Sequence, residues 1–234
     1  MNKKIKISLI IIIALILAYG IYYLTDYYPA EKTATDCLNG SENVSVANFD
    51  SGLFLDGPGN ESALIFYPGA KVEYTSYLPL LMELSNRGVD CYLVQMPFNI
   101  AFFGEDTAGG IINSTNYTHY ILAGHSLGGV VAADYVNKTG NGDGLVLLSA
   151  YSNSKITKPI LSIYGSEDKV LNRESYNQAK VLADNFTEFV IDGANHEQFA
   201  YYGSQSGDGI ATISPEDQQM QTVDKILEFI KNLS

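Results

Sequence analysis

Three kinds of side chain that can share one acyl-transfer reaction, a hydroxyl, an imidazole and a carboxylate, each stand in this sequence just beyond an apolar run. Ser126 lies in "GHSLGG", directly after "HYILA" and directly before a helix-like stretch. A serine hydroxyl is a poor nucleophile until a base takes its proton, and histidine suits that task near neutral pH. The chain has three histidines. His125 adjoins Ser126 in the turn, so its side chain projects elsewhere. His119 opens the preceding strand and belongs at the opposite sheet edge. That leaves His196 in "IDGANHEQF", in a glycine-containing loop after the last apolar run. The third role is an acid that fixes the imidazole's tautomer and stabilises its charged form. Asp168 in "SIYGSEDKV" has Glu167 as its rival, with Asp192 a weaker one. The Ser, Asp, His chain order and a place just past a strand end favour Asp168. The plainer alternatives are a small residue at a tight turn for Ser126 and a surface-loop histidine for His196.

A strand, then Gly-x-Ser-x-Gly, then a helix gives the serine a mechanical setting. The turn holds it at a costly backbone angle, and Gly124 and Gly128 remove side chains that would collide with the neighbouring strand and helix. Ser126 then points out at the carboxyl end of a sheet, at the positive end of a helix dipole. Two backbone N–H groups are expected to bind a developing oxyanion. Leu127, next after the serine, supplies one by position. Ala70, in the loop "YPGAKVEY" after an earlier strand, is the candidate for the other, although a Pro-Gly turn alone also accounts for that loop.

The elements that must position these residues alternate. "NVSVANF" and "GLFLD" read as an antiparallel hairpin. "ALIFYPG" (63–69), "CYLVQMP" (91–97), "HYILAG" (119–124), "GLVLLSA" (144–150), "PILSIYG" (159–165) and "EFVID" (188–192) read as strands, the continuous apolar runs among them buried on both faces. Helices are expected at 74–87, with less definition at 100–112, then at 126–137 and 174–183. A final helix opens with Ser214 as N-cap, Pro215 in the first turn and Asp217 three residues on. Such alternation implies a parallel sheet with helices on its faces. Between the strands near 150 and 159 only about nine residues remain, fewer than a helical crossover needs. Either that crossover lacks a helix or a strand limit is off, and there is no room for a lid.

The N-terminus differs in kind. Lys3, Lys4 and Lys6 precede an uncharged run from Ile7 to Leu24, about 27 Å long as a helix and close to the thickness of a hydrocarbon core. Tyrosines 19, 22, 23, 27 and 28 cluster at its end as an interfacial belt would. The reading is a basic cytoplasmic tail (1–6), a transmembrane signal-anchor helix (7–24), a polar stem (25–42) and one domain (43–234) outside the membrane, with secretion after signal cleavage the alternative. Apolar residues at 46%, charged residues at 17% and a net charge of −12 fit a packed domain and argue against nucleic acid, anionic lipid and polyanionic substrates as partners. Two cysteines, Cys37 and Cys91, have no metal-type spacing. They leave a disulfide or two free thiols open, and no cofactor or metal is expected.

Taken as a set, "LIFYPGAKVEYTSYLPLLMEL", "VQMPFN", "GHSLGG", "YGSEDKV" and "GANHEQFAYYG" resemble the α/β-hydrolase fold family, and within it small bacterial hydrolases of unassigned substrate. The likeness covers residues 44–234. It implies a mostly parallel eight-stranded sheet flanked by helices, without a large cap domain, and a triad of Ser126, Asp168 and His196. It also suggests relatives among dienelactone hydrolases and carboxylesterases. Pro68-Gly69 stands where many lipases have a His-Gly pair, so the oxyanion geometry is expected to differ from theirs. The expected activity is hydrolysis of a small or surface-attached ester through an acyl-enzyme. The alternatives are a non-catalytic surface binding module on the same fold and an acyltransferase using the same triad. Phe98, Phe102 and Phe103 are candidates for an apolar wall, or for core.

Overall fold

Runs of β-branched and aromatic residues, set between stretches with helical periodicity, fold in the computed structural model into one sheet covered on both faces. Residues 2–233 are described, without the side chains of Tyr23, Leu24 and Phe102. The parts that Met1, Ser234 and those three side chains play in the expected tail, domain end, aromatic belt and wall lie outside the described residues.

The chain begins with α1 (Lys3–Thr25) and a short α2 (Lys32–Thr35). A hairpin of β1 (Ser45–Phe49) and β2 (Gly52–Asp56) follows, then β3 (Ser62–Tyr67), α3 (Leu78–Asn86), β4 (Asp90–Val94), α4 (Thr107–Ser114) and β5 (His119–His125). The remainder is α5 (Leu127–Thr139), β6 (Gly144–Leu148), β7 (Ile160–Gly165), α6 (Arg173–Lys180), β8 (Phe186–Ile191) and α7 (Pro215–Lys231). The sheet order is β1-β2-β4-β3-β5-β6-β7-β8. β2 runs antiparallel to both its neighbours, and every pairing from β4 to β8 is parallel. This is the eight-stranded, mostly parallel sheet expected from the sequence.

β3 shows why the run "SALIFY" is apolar throughout. Leu64 and Phe66 enter the core shared with α3 and α7, while Ala63, Ile65 and Tyr67 enter the one shared with α4 and α5. Each large side chain buried this way contributes about 1.5–3 kcal/mol. β8, at the edge, is mostly half-buried or exposed, and only its last residue, Ile191, is buried.

Several boundaries move. The helix expected at 74–87 is a 3-10 turn over Tyr74–Tyr77 followed by α3, with Pro79 in its first turn. The stretch expected at 100–112 likewise splits into a 3-10 turn, Ala101–Gly104, and α4. Between β6 and β7 both suspicions hold: the strands are shorter than the apolar runs suggest, and residues 149–159 cross without a helix. The Ser214 side chain caps α7 by accepting the Asp217 N–H at 3.1 Å. Cys37 and Cys91 are free thiols.

The polar stem, residues 25–42, is folded onto the domain: Tyr28 bridges to Val72, Ala34 is buried, and the Glu31 N–H donates to Tyr201 O at 2.9 Å. Polar composition hides this because the attachment is made largely through backbone groups. In contrast, none of the apolar stretch of α1 is buried within the protein. Its Lys3–Tyr22 segment has a mean hydropathy of 2.4 and is long and apolar enough to cross a membrane.

Candidate active site

Parallel pairing brings the carboxyl ends of five strands into line. Tyr67 pairs with Gly124, His125 with Leu148, Leu148 with Ile163, and Gly165 with Ile191. Each singled-out side chain follows one of these ends, so residues far apart in sequence meet along one edge.

Ser126 caps α5 with φ 52° and ψ −124°, a conformation that costs a non-glycine residue about 1–3 kcal/mol. It persists because both sides of the turn are pinned. The Ser126 N–H donates to Leu148 O at 2.9 Å, and its carbonyl accepts Gly129 N–H at 3.0 Å. Gly128 packs so closely on the end of β3 that a Cβ there would strike the carbonyls of Tyr67 and Pro68. The elbow and the Pro68-Gly69-Ala70 loop are therefore in direct contact. Among the described residues, no acceptor takes the N–H of Leu127 or of Ala70. Leu127 lines the cavity with Ser126, at the positive end of the α5 dipole, and Ala70 follows the Pro68-Gly69 turn that touches the elbow at Gly128.

The imidazole arrives by a different route. The backbone at Ala194 and Asn195 passes over the end of β7 at Gly165, where any Cβ would collide with Ala194. His196, 1% exposed, then places Nδ1 3.1 Å from Asp168 Oδ2. The other carboxylate oxygen, Oδ1, accepts the N–H groups of Val170 at 2.9 Å and Leu171 at 2.8 Å. Burial alone pushes the Asp168 carboxyl up. The hydrogen bond and charge of His196, together with the donors around it, outweigh burial and bring it down to about 2. His196 Nε2 is buried and has no partner among the described residues. A cavity of about 230 Å³ is lined by Ser126, Leu127, Val130, Leu171 and His196 among others. The rival carboxylates lie elsewhere: Glu167 accepts the Ser166 hydroxyl at 3.2 Å, and Asp192 is exposed.

Three residues that support this edge carry no motif. Asp208 Oδ2 accepts the N–H groups of both His196 and Glu197 at 2.9 Å, and its Oδ1 accepts Lys169 N–H at 3.3 Å, tying the histidine loop to the aspartate loop. Gln218 exchanges two hydrogen bonds with the Asn195 backbone, at 3.2 and 2.9 Å. Its one signal in sequence is a polar residue on the apolar face of α7. On the other side, Tyr77 accepts Gly69 N–H at 3.0 Å and reaches His125 Nδ1 at 2.7 Å. His125 is buried beneath the elbow, and burial, then the neighbouring His196, drives its pKa well below the ordinary value. Neutral His125 accepts the Tyr77 hydroxyl proton, so the phenol is free to accept from Gly69. Tyr77→Phe should leave the Gly69 N–H and His125 Nδ1 unpaired and cost about 1–3 kcal/mol. Urea unfolding of the variant beside the wild type measures this, with an unchanged midpoint as the contrary result.

Of the expected aromatic wall, Phe98 and Phe103 are not among the residues that line this cavity. Phe98 and Phe103 are 60% and 61% exposed and touch each other edge to face, 6.0 Å between ring centres. His119 opens β5 at the far edge, as expected. Among the described residues, no group of three His, Cys, Asp or Glu is placed to hold a metal ion.

A sequence profile described as "Alpha/beta hydrolase family" matches residues 63–220. The chain belongs to the alpha/beta hydrolase family. No curated protein matches the sequence. Among solved structures this alpha/beta hydrolase is similar to Est1E from Butyrivibrio proteoclasticus, at 13% identity over 82% of this chain and 99% of that one, with a TM-score of 0.57. It is similar to alpha/beta hydrolase domain-containing protein 10 from mouse, at 11% identity over 82% and 99%, TM-score 0.59. A serine hydrolase involved in carbazole degradation, the CarC enzyme, matches at 13% identity over 80% and 99%, also with a TM-score of 0.59. At such identities the likeness establishes the shared alpha/beta hydrolase fold.

Proposed function

We propose that this protein is a serine hydrolase that cleaves carboxylic esters through an acyl-enzyme on Ser126, with His196 as base and Asp168 as its orienting acid. The observation that carries the reading is the His196–Asp168 pair, whose free Nε2 is buried in the wall of the cavity that Ser126 also lines. Asp168 holds the proton on Nδ1, which leaves Nε2 as the acceptor. The Ser126 hydroxyl attacks the ester carbonyl as Nε2 takes its proton, and the N–H groups of Leu127 and Ala70 bind the oxyanion. When the C–O bond to the leaving group breaks, the imidazolium returns the proton to the departing alcohol. Water then attacks the acyl-serine by the same steps and releases the acid. The fold's neighbours include a serine hydrolase by title, which supports this reaction class.

α1 is read in the same way as an uncleaved anchor, with Lys3, Lys4 and Lys6 on the cytoplasmic side and the domain outside. Its support is an apolar segment that finds no burial within the protein.

The test is covalent labelling. The full chain, incubated with a fluorophosphonate, should form a single adduct that mass spectrometry maps to Ser126. A folded protein that takes no label would shift the assignment to a non-catalytic binding module.

A further inference from the structure

The attachment of the stem has a geometric result that bears on the substrate. α1 ends at Thr25, and three residues later the Tyr28 N–H donates to Lys71 O at 2.7 Å, while Tyr28 O accepts Glu73 N–H at 2.9 Å. Asp26 pairs with the Lys71 ammonium at 2.9 Å. Lys71 follows Ala70, the candidate oxyanion donor in the loop that touches the elbow at Gly128. From the end of the apolar segment at Tyr22, one helical turn and three extended residues span at most about 15 Å. The tether is thus too short to let the Ala70 side of the site stand far from a membrane that α1 crosses.

The surface at that point has the matching chemistry. α1 lies against the turn Pro97–Asn99, whose Asn99 O accepts Lys71 N–H at 2.8 Å. The exposed pair Phe98 and Phe103 belongs to this segment. Phe98 has φ 57°, a left-handed conformation that is costly for a residue other than glycine. Two exposed aromatics, the exit of an apolar helix and the candidate oxyanion loop therefore occupy one patch.

We infer that the anchor holds the carboxyl edge of the sheet against the bilayer, with Phe98 and Phe103 in the interface, and that the substrate is an acyl ester borne by a membrane lipid. The inference rests on the hydrolase and anchor readings above. The chain's net charge of −12 favours a neutral or zwitterionic lipid, since anionic headgroups would be repelled. Exposed phenylalanines bury at the boundary between headgroups and acyl chains, where lipid ester carbonyls also lie.

The chain contains no tryptophan, so one introduced tryptophan reports its own depth. Phe98→Trp and, as control, Val181→Trp are placed as full chains in phosphatidylcholine vesicles containing dibrominated lipid. Val181 is 81% exposed and lies beyond α6, before β8, at the opposite sheet edge. Emission from Phe98→Trp should be quenched by lipid brominated near the headgroup, and emission from Val181→Trp should not. No quenching at position 98, or equal quenching at both, would overturn the inference.

A second arm reads the substrate. Twelve Gly/Ser residues inserted between Thr25 and Asp26 lengthen the tether by about 19 Å and leave the Tyr28 and Asp26 contacts in place. Turnover of a long-chain umbelliferyl ester in the bilayer should fall about tenfold as the local concentration drops, with p-nitrophenyl acetate hydrolysis within about twofold of wild type. Equal turnover of the bilayer ester with and without the insertion would overturn the lipid-substrate assignment. Failure to hydrolyse either ester would instead remove the hydrolase reading, and the quenching result would still stand or fall by itself.

Discussion

Ser126→Ala should lower kcat for a short-chain ester by about 10⁴–10⁶-fold, because the variant keeps the oxyanion donors but has no oxygen to form the acyl bond. Binding should survive, since Leu127 and Ala70 contribute backbone groups. Stability should barely change, because alanine meets the same strained φ of 52° that serine does. Ser126→Gly sharpens the prediction. Glycine occupies that region without a Cβ clash, so the variant should be as inactive as alanine yet about 1 kcal/mol more stable. Ester hydrolysis and thermal unfolding of the three proteins, run in parallel, make the comparison. Retained turnover in either variant would show that Ser126 is a turn residue, held in its strained place for another reason.

The second large effect belongs to Asp168→Asn, for which kcat should fall about 10³–10⁴-fold with little change in KM. The argument comes from what each oxygen does. Oδ1 accepts the N–H groups of Val170 and Leu171, so an asparagine must turn its carbonyl to that side and its amide NH₂ toward His196. The imidazole then has to accept at Nδ1 and carry its proton on Nε2, where it cannot take one from Ser126. Activity should therefore be lost although the fold is nearly unchanged. A variant with wild-type kcat would transfer the orienting role to another group.

The same carboxylate gives a pH dependence of stability. Its folded pKa of about 2 lies below the ordinary unfolded value, near 3.9. The ionised form is thus favoured in the folded state, and the contribution is fully present above pH 4 and lost as pH falls toward 2. Its size is on the order of 2 kcal/mol. Acid unfolding of the wild type should be steeper between pH 4 and 2 than that of Asp168→Asn, which has no carboxyl group to protonate.

What could be read from the amino-acid sequence follows from local constraints. Strand and helix assignments depend on period and capping, which neighbouring residues express, and so the eight strands, the elbow around Ser126 and the Ser214 cap are all legible. The candidate site was legible too, because in a parallel sheet the end of each strand is also the edge of the sheet. The order Ser, Asp, His along the chain then becomes a row in space. Boundaries were less legible where a 3-10 turn and an α-helix share one apolar pattern, as at Tyr74–Asn86.

By itself, then, the sequence determined the fold class, the residues at the sheet edge and the presence of an apolar N-terminal helix, since composition, periodicity and chain order are local properties. Chain order favoured Asp168 over Glu167 and Asp192, but only the tertiary structure puts its carboxylate 3.1 Å from His196 Nδ1, because that distance depends on how two loops far apart in the chain turn toward each other. The tertiary structure alone brought Asp208, Gln218 and Tyr77 to their supporting places, through contacts between residues distant in the chain. It also turned the polar stem into a short tether beside Ala70. The bonds at Tyr28 and Glu31 run from backbone to backbone, and backbone groups are the same at every residue, so the side chains carried little trace of the attachment.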